Sequence, residues 1–119
     1  MQSIYQEIIL DLYKNPHNVG MLNNPTKKTI SFNPSCGDKI EMDIILENNK
    51  VKDIKFRGAG CAISQASASL LTDHAKSKSK DELKKIDKNF MIKMLGIDLG
   101  PNRIKCAVLS LEALHKLLM

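Results

Sequence analysis

A chain of 119 residues, 43% of them apolar, has material for one modest hydrophobic core and too little for two ordinary domains, so a single domain over residues 1–119 is expected. No apolar run approaches the ~20 residues of a membrane helix, and the opening MQSIYQEIILDLYKNP carries acidic residues early with no signal-peptide layout; a soluble, cytosolic protein is expected. The net charge of +5 is densest in KSKSKDELKKIDK, Lys76 to Lys88, which reads as a solvated helix face; with two Tyr, three Phe and no Trp for base stacking, no nucleic-acid partner is expected.

The three cysteines cannot all pair within the chain, and no secretory context supports a disulfide framework, which leaves free thiols or a metal site. The surplus positive charge suits an acidic protein partner through steering of the encounter.

In chain order, Ser3 to Tyr13 places Ile4, Ile8, Ile9 and Leu12 on one stripe and predicts a short amphipathic helix. Pro16, Gly20 and Pro25, mixed with Asn, then interrupt it and predict an ordered loop lying over the domain. Three strands are expected at Lys28–Phe32, Ile40–Leu46 and Val51–Arg57. In the second, Ile40, Met42 and Ile44 alternate with Glu41 and Asp43; in the third, Ile54 and Phe56 alternate with charged residues, so each buries one face. Glu47-Asn48-Asn49-Lys50 reads as a hairpin turn, because Asn tolerates the left-handed conformation.

From Cys61 the period becomes helical, with Ile63, Ala66 and Leu70 in line among small residues that permit close packing on a sheet. Ser79-Lys80-Asp81-Glu82 matches a capping box and starts a charged helix. Asn89 to Gly100 carries no legible pattern. A last helix from Asn102 or Arg103 aligns Ile104, Val108, Leu111, Leu114 and Leu118. The order predicts an α+β domain: a three-stranded antiparallel meander with helices on one face, an N-terminal helix and a long C-terminal helix.

The cysteines stand at element boundaries. Cys36 lies in the loop Asn33-Pro34-Ser35-Cys36-Gly37-Asp38, Cys61 follows Gly58-Ala59-Gly60 between strand and helix, and Cys106 falls in the first turns of the last helix. A lone Cys is more often a small buried hydrophobe, but a helix start or a Gly-flanked loop favours a thiolate. Asp38, two residues after Cys36, falls on the same side of an extended segment, and with Cys61 and Cys106 four anionic ligands are available to a tetrahedral metal. The gaps of 24 and 44 residues between cysteines are unlike the close pairs of a zinc ribbon. His17, His74 and His115 read as surface or capping residues. Arg103 and Lys105 flank Cys106, either solvated or lowering its pKa.

The loop PSCGD, the junction FRGAGCAISQASASLLT, the helix start RIKCAVLSLEAL and the opening LYKNPHNVGML resemble the IscU/SufU/NifU amino-terminal family of iron-sulfur cluster assembly proteins over nearly the whole chain. The resemblance implies a scaffold, or a sulfurtransferase-type acceptor of persulfide sulfur from a cysteine desulfurase of the SufS/IscS/NifS kind, serving recipient apoproteins. By motif, Cys36, Asp38, Cys61 and Cys106 correspond to the ligands of zinc, iron or a [2Fe-2S] cluster, and Cys36 is the expected persulfide acceptor because it sits on a Gly-flanked loop. A monomer or weak homo-oligomer is implied. Lys105 stands where IscU-type scaffolds have His, and Leu99-Gly100-Pro101-Asn102-Arg103 replaces their chaperone-recognition Leu-Pro-Pro-Val-Lys; both features lean to the SufU branch. The stretch from Cys61 to Cys106 is nearer the IscU length. The alternative is a small binding module with a structural zinc and a basic surface. A thiol-disulfide enzyme is disfavoured because no Cys-x-x-Cys pair is present.

Overall fold

The computed structural model describes residues 4–34 and 37–119. Helix α1 (Ile4–Lys14) leads to three strands, β1 (Lys27–Asn33), β2 (Asp38–Glu47) and β3 (Lys50–Ala59), followed by α2 (Ala62–Ala75), α3 (Lys80–Lys84), α4 (Lys88–Leu95) and α5 (Pro101–Leu117). The sheet is antiparallel in the order β1-β2-β3, the expected meander. Asn48 and Asn49 make the β2–β3 turn with φ of 54° and 66°, so both central residues adopt the left-handed conformation that this tight hairpin requires.

Period-two alternation fixes the two faces. Ile40, Met42 and Ile44 of β2 and Ile54 and Phe56 of β3 point inward, where α2 and α5 cover them. With Leu71, Leu83, Met91, Leu109, Leu114 and Leu117 they form the main core between sheet and helices. Burying these side chains, at about 2 kcal/mol each, is the chief favourable term in the fold.

The outer face departs from simple alternation. Asp43, expected to face water, is fully buried. Residues 18–26 strap across it: Phe56 N–H donates to Asn18 O, Gly20 N–H donates to Phe56 O, and Leu22 N–H donates to Asp43 Oδ2. Arg57 answers the buried carboxylate at 3.1 Å, reaches Glu41 at 2.9 Å and donates to Gly20 O. At its start the strap is tied to α2, with His17 Nδ1 2.7 Å from Asp73 and the Asn18 amide donating to Thr72 and Asp73. The loop expected over the domain is this strap.

Two helical stripes sit differently from the sequence pattern. In α1 only Ile9 and Leu12 are buried, against α2, whereas Ile4 is 67% and Ile8 42% exposed. The short helix is apolar on several sides, and its packing, chiefly against α2, selects a single side. In α5, Leu111, Leu114 and Leu118 of the expected stripe are buried while Ile104 and Val108 are only partly covered, and the buried side also takes in Cys106, Ala107, Ser110, Ala113 and Leu117. Small residues join it where α2 packs on α5. Helix α2 is buried nearly all round, including Ser64, Ser67, Ser69 and Thr72, since it lies among α1, α5 and the sheet.

Ser79 caps α3 as expected, accepting from Glu82 N–H, with Ser79 Oγ also 3.2 Å from Glu82 Oε1. The illegible stretch contains α4. Asp87 caps it by accepting from Phe90 N–H, and Gly96 ends it in the left-handed conformation, φ 71°. The Tyr5 ring lies on Gly96 so closely that an added Cβ would stand 2.2 Å from it. No helix among the described residues is long and apolar enough to cross a membrane.

Candidate functional site

Three elements meet at one end of the molecule. The first residue of β2 carries Asp38, whose partner across the ladder is Asn33 at the end of β1. β3 ends at Ala59, Gly60 turns the chain, and Cys61 is the N-cap residue of α2, with φ −74° and ψ 169°. Cys106 lies in the second turn of α5, which begins with Gly100 as N-cap and Pro101 in the first turn. The meander brings the start of β2 beside the end of β3, and the packing of α5 on α2 brings in Cys106.

The result is a cluster of Asp38, Cys61 and Cys106 in which one ligand atom from each residue lies within 4.8 Å of the others. Cys61 Sγ is 3.7 Å from Asp38 Oδ2. Asp38 and Cys106 are buried, each 3% exposed, while Cys61 opens to solvent. The donor set suits a metal: two sulfurs and a carboxylate oxygen crowd their negative charge when ionised, and a cation removes that repulsion. Sulfur ligands around tetrahedral zinc stand about 3.8 Å apart, from Zn–S bonds of about 2.3 Å, so closure onto an ion requires movement of about 1 Å or less. Cys36, the remaining residue of the expected set, lies outside the described residues.

Gly60 makes room for this cluster. A Cβ there would stand 2.8 Å from Asp38 Cγ and 2.9 Å from Oδ1. The glycine before Cys61, expected to ease the chain reversal and the approach of a ligand, yields its missing side-chain volume to the Asp38 carboxylate.

Beside the sulfurs opens a cleft of about 620 Å³ between α1 and the start of α5, with Ile9, Leu10, Ile63 and Ile97 on its walls and Gln6, Asn102 and Arg103 at its polar positions. Cys61 and Cys106 both border it. The two cations flanking Cys106 in sequence part company: Arg103 borders this cleft, whereas Lys105 lines a separate pocket with Phe32, Asn33 and Pro34. Helical geometry sets residues at spacing two on opposite sides, and so only Arg103 shares the cleft with the thiols.

Sequence reasoning missed Asn33. Its side chain is buried, and Nδ2 stands 3.9 Å from Cys106 Sγ. The Asn33-Pro34 pair reads as turn punctuation, and nothing local marks the amide as a neighbour of a sulfur 73 positions away. Among the described residues none of the three histidines joins the metal-ligand cluster. His17 binds Asp73, the His74 ring tilts against Phe90 at 4.9 Å, and His115 Nε2 is 3.3 Å from Leu83 O, in keeping with surface and capping roles.

Comparison with known proteins places this arrangement. The family model of the NifU-like N terminal domain matches residues 4–119. The zinc-dependent sulfurtransferase SufU of Bacillus subtilis is 40% identical, covering 98% of this chain and 90% of its own. That alignment spans 133 positions, more than the chain has residues, so the relative carries residues lacking here. The iron-sulfur cluster assembly scaffold protein IscU 1 of Archaeoglobus fulgidus is 33% identical over 113 positions, covering 95% of this chain and 73% of its own. Among solved structures, a putative SUF-system scaffold protein of Fervidobacterium islandicum superposes with a TM-score of 0.83 at 31% identity, covering 98% and 97% of the two chains. The sheet, the helices and the match over residues 4–119 agree, and the chain belongs to the NifU-like N-terminal domain family.

Proposed function

We propose that this protein works in iron-sulfur cluster assembly, as a scaffold or as an acceptor of sulfur from a cysteine desulfurase, and passes sulfur or a nascent cluster to recipient apoproteins in the cytoplasm. The observation that carries the reading is the convergence of Asp38, Cys61 and Cys106 within 4.8 Å from three separate elements. A core needs no such meeting of acidic groups, and a metal or cluster does. The names of the relatives, a zinc-dependent sulfurtransferase and cluster scaffolds, support the same chemistry.

In this reading Cys36 completes the ligand set and is the sulfur acceptor. Its thiolate attacks the outer sulfur of the desulfurase persulfide, a new S–S bond forms on Cys36, and the desulfurase cysteine leaves as thiolate, so no external oxidant or reductant is needed. A bound zinc or iron ion would keep the coordinating sulfurs deprotonated at neutral pH. Asp38, a harder ligand than sulfur, holds soft cargo less tightly than a fourth thiolate would, which favours transfer over storage. Arg103 at the cleft stabilises negative charge delivered beside Cys61 and Cys106.

The test is anaerobic reconstitution with cysteine, a desulfurase and either zinc or ferrous iron. A chromophore of a bound cluster, or a persulfide adduct on Cys36 detected by mass, is the expected result. Absence of both, with desulfurase turnover unchanged by Cys36→Ser, would overturn the reading. The competing module with a purely structural zinc predicts unfolding on chelation, which circular dichroism detects.

A further inference from the structure

The two edges of the sheet are treated differently. The edge of β3 is closed by the strap, through the bonds of Phe56 to Asn18 and Gly20. Along Lys28, Ile30 and Phe32 no further strand or bridge pairs with β1 among the described residues. Ile44 O accepts from Thr26 N–H toward β1, and Ile44 is the ladder partner of Lys27; alternation then turns the N–H and C=O of Lys28, Ile30 and Phe32 away from β2. Lys116 Nζ agrees with this direction, donating to Ile30 O at 3.1 Å from outside the sheet. The side chains of the same residues are exposed, Ile30 at 43% and Phe32 at 64%.

Helix α5 runs beside this edge. Lys105, Val108, Glu112 and Lys116, spaced three and four apart, share one flank. The first three face Phe32, Asn33 and Pro34 across a pocket of about 310 Å³, and Lys116 touches Ile30, so edge and flank form one groove. Lys27 stands at its far end, bonded to the Met119 carbonyl. Lys105, Lys116 and Lys27 border the groove, with Glu112 as the acid among them, and the exposed Lys28 lies on the same edge strand.

We propose that this groove docks an extended, acidic segment of a partner protein, which adds as a strand beside β1. The outward N–H and C=O groups supply main-chain bonds, and the lysines select Asp and Glu in the added strand. Natural sheets blunt such edges with charges or cover them, and here the lysines border apolar side chains that remain exposed. A second copy of this chain is the disfavoured occupant, because it would set two lysine-rich edges against each other.

The test uses the full-length ¹⁵N-labelled protein and a capped heptapeptide alternating Glu and Val, with a Lys/Val peptide as control. The expected result is amide shift changes and slowed hydrogen exchange at Lys28, Ile30 and Phe32 with the acidic peptide alone. Ile30→Pro removes an outward N–H without breaking the β1–β2 ladder and should weaken binding about tenfold. Lys28→Glu, at an exposed position, should also weaken it and decides the matter if the proline variant fails to fold. No binding, an equal response to both peptides, or shifts confined to the cysteine cleft overturns the proposal. So does concentration-dependent dimerisation that protects these amides without peptide.

Discussion

Gly60→Ala is the sharpest probe of the acidic cluster, because it keeps all three side chains and displaces one of them. The new methyl carbon would lie 2.8 Å from Asp38 Cγ and 2.9 Å from Oδ1, where relaxed contact needs about 3.5 Å. Asp38 is 3% exposed and its backbone is held in the pairing with Asn33, so the carboxylate must swing by about 0.6 Å or the turn must open. Forcing one extra carbon into a packed site costs about 1–3 kcal/mol. Relief by displacing the carboxylate puts that cost into metal affinity, a weakening of about 10- to 100-fold in Kd. Zinc competition against a chromophoric chelator measures it, and urea unfolding of the metal-free protein measures any share borne by the fold. Gly100→Ala is the matched control, since a Cβ there meets nothing within 4 Å. Unchanged zinc affinity in Gly60→Ala, with unchanged stability, would refute the assignment of Asp38 as a ligand.

Removing Arg57 should be among the most destabilising changes away from the core. Arg57→Ala leaves the buried Asp43 carboxylate with the Leu22 N–H as its remaining bond, at a cost of about 3 kcal/mol in urea unfolding, the low end for breaking a buried pair because the guanidinium keeps a quarter of its exposure. Acidification should loosen the strap end of α2 in two steps. Burial, reinforced by the Lys78 charge, lowers the His74 pKa from its ordinary 6.5, so the contribution of neutral His74 is present above that pH and is lost as pH falls through the lowered value; His74→Phe should flatten this step in thermal melts. For Asp73, burial acts upward, but the bonds from His17 and Asn18 outweigh it and bring the pKa below 3.8; its contribution, a few tenths of a kcal/mol at this exposure, is lost only in stronger acid, and Asp73→Asn should remove that step. Chelation should leave the far-ultraviolet dichroism of the helices nearly intact, since the main core includes none of the cluster residues, while hydrogen exchange should quicken in α1, whose Ile9 and Leu12 pack in the cluster that contains Cys106.

The legible parts of the sequence were those in which local rules and tertiary contacts agree. The meander, the Asn48-Asn49 turn and the Ser79 cap follow from short-range chemistry, and the structure has them at the expected places. The stripes of α1 and α5 hold only in part, through Ile9 and Leu12 in one and Leu111, Leu114 and Leu118 in the other, because burial is decided by which neighbours arrive. Exposed Ile4 and buried Ser110 violate any count made on one helix alone. Helix α4 escaped because its signals are end signals, Asp87 and Gly96, with no clean apolar period between them. The meeting of Asp38, Cys61 and Cys106 is not a local property at all. It was expected through motif resemblance, whereas Asn33 and the burial of Asp43 under the strap have no sequence pattern that points to them.

The cluster lies apart from the residues that carry the stability of the fold. The largest fully buried side chains lie between the sheet and the helices and include no member of the cluster, so the main core persists whichever ligands are bound. Asp38 sits at the first residue of β2 and Cys61 at the cap of α2, positions where backbone bonding to a regular element is half complete, while Cys106 stands in the second turn of α5. Element ends yield more readily than their middles, and the proposed closure onto an ion asks for movements of the order of 1 Å. Of the three cluster residues, only Cys106 also belongs to an apolar cluster, shared with Ile9, Leu12, Ile63 and Leu95. That residue links the cluster to the docking of α1, whose Gln6, Ile9 and Leu10 line the cleft beside Cys61.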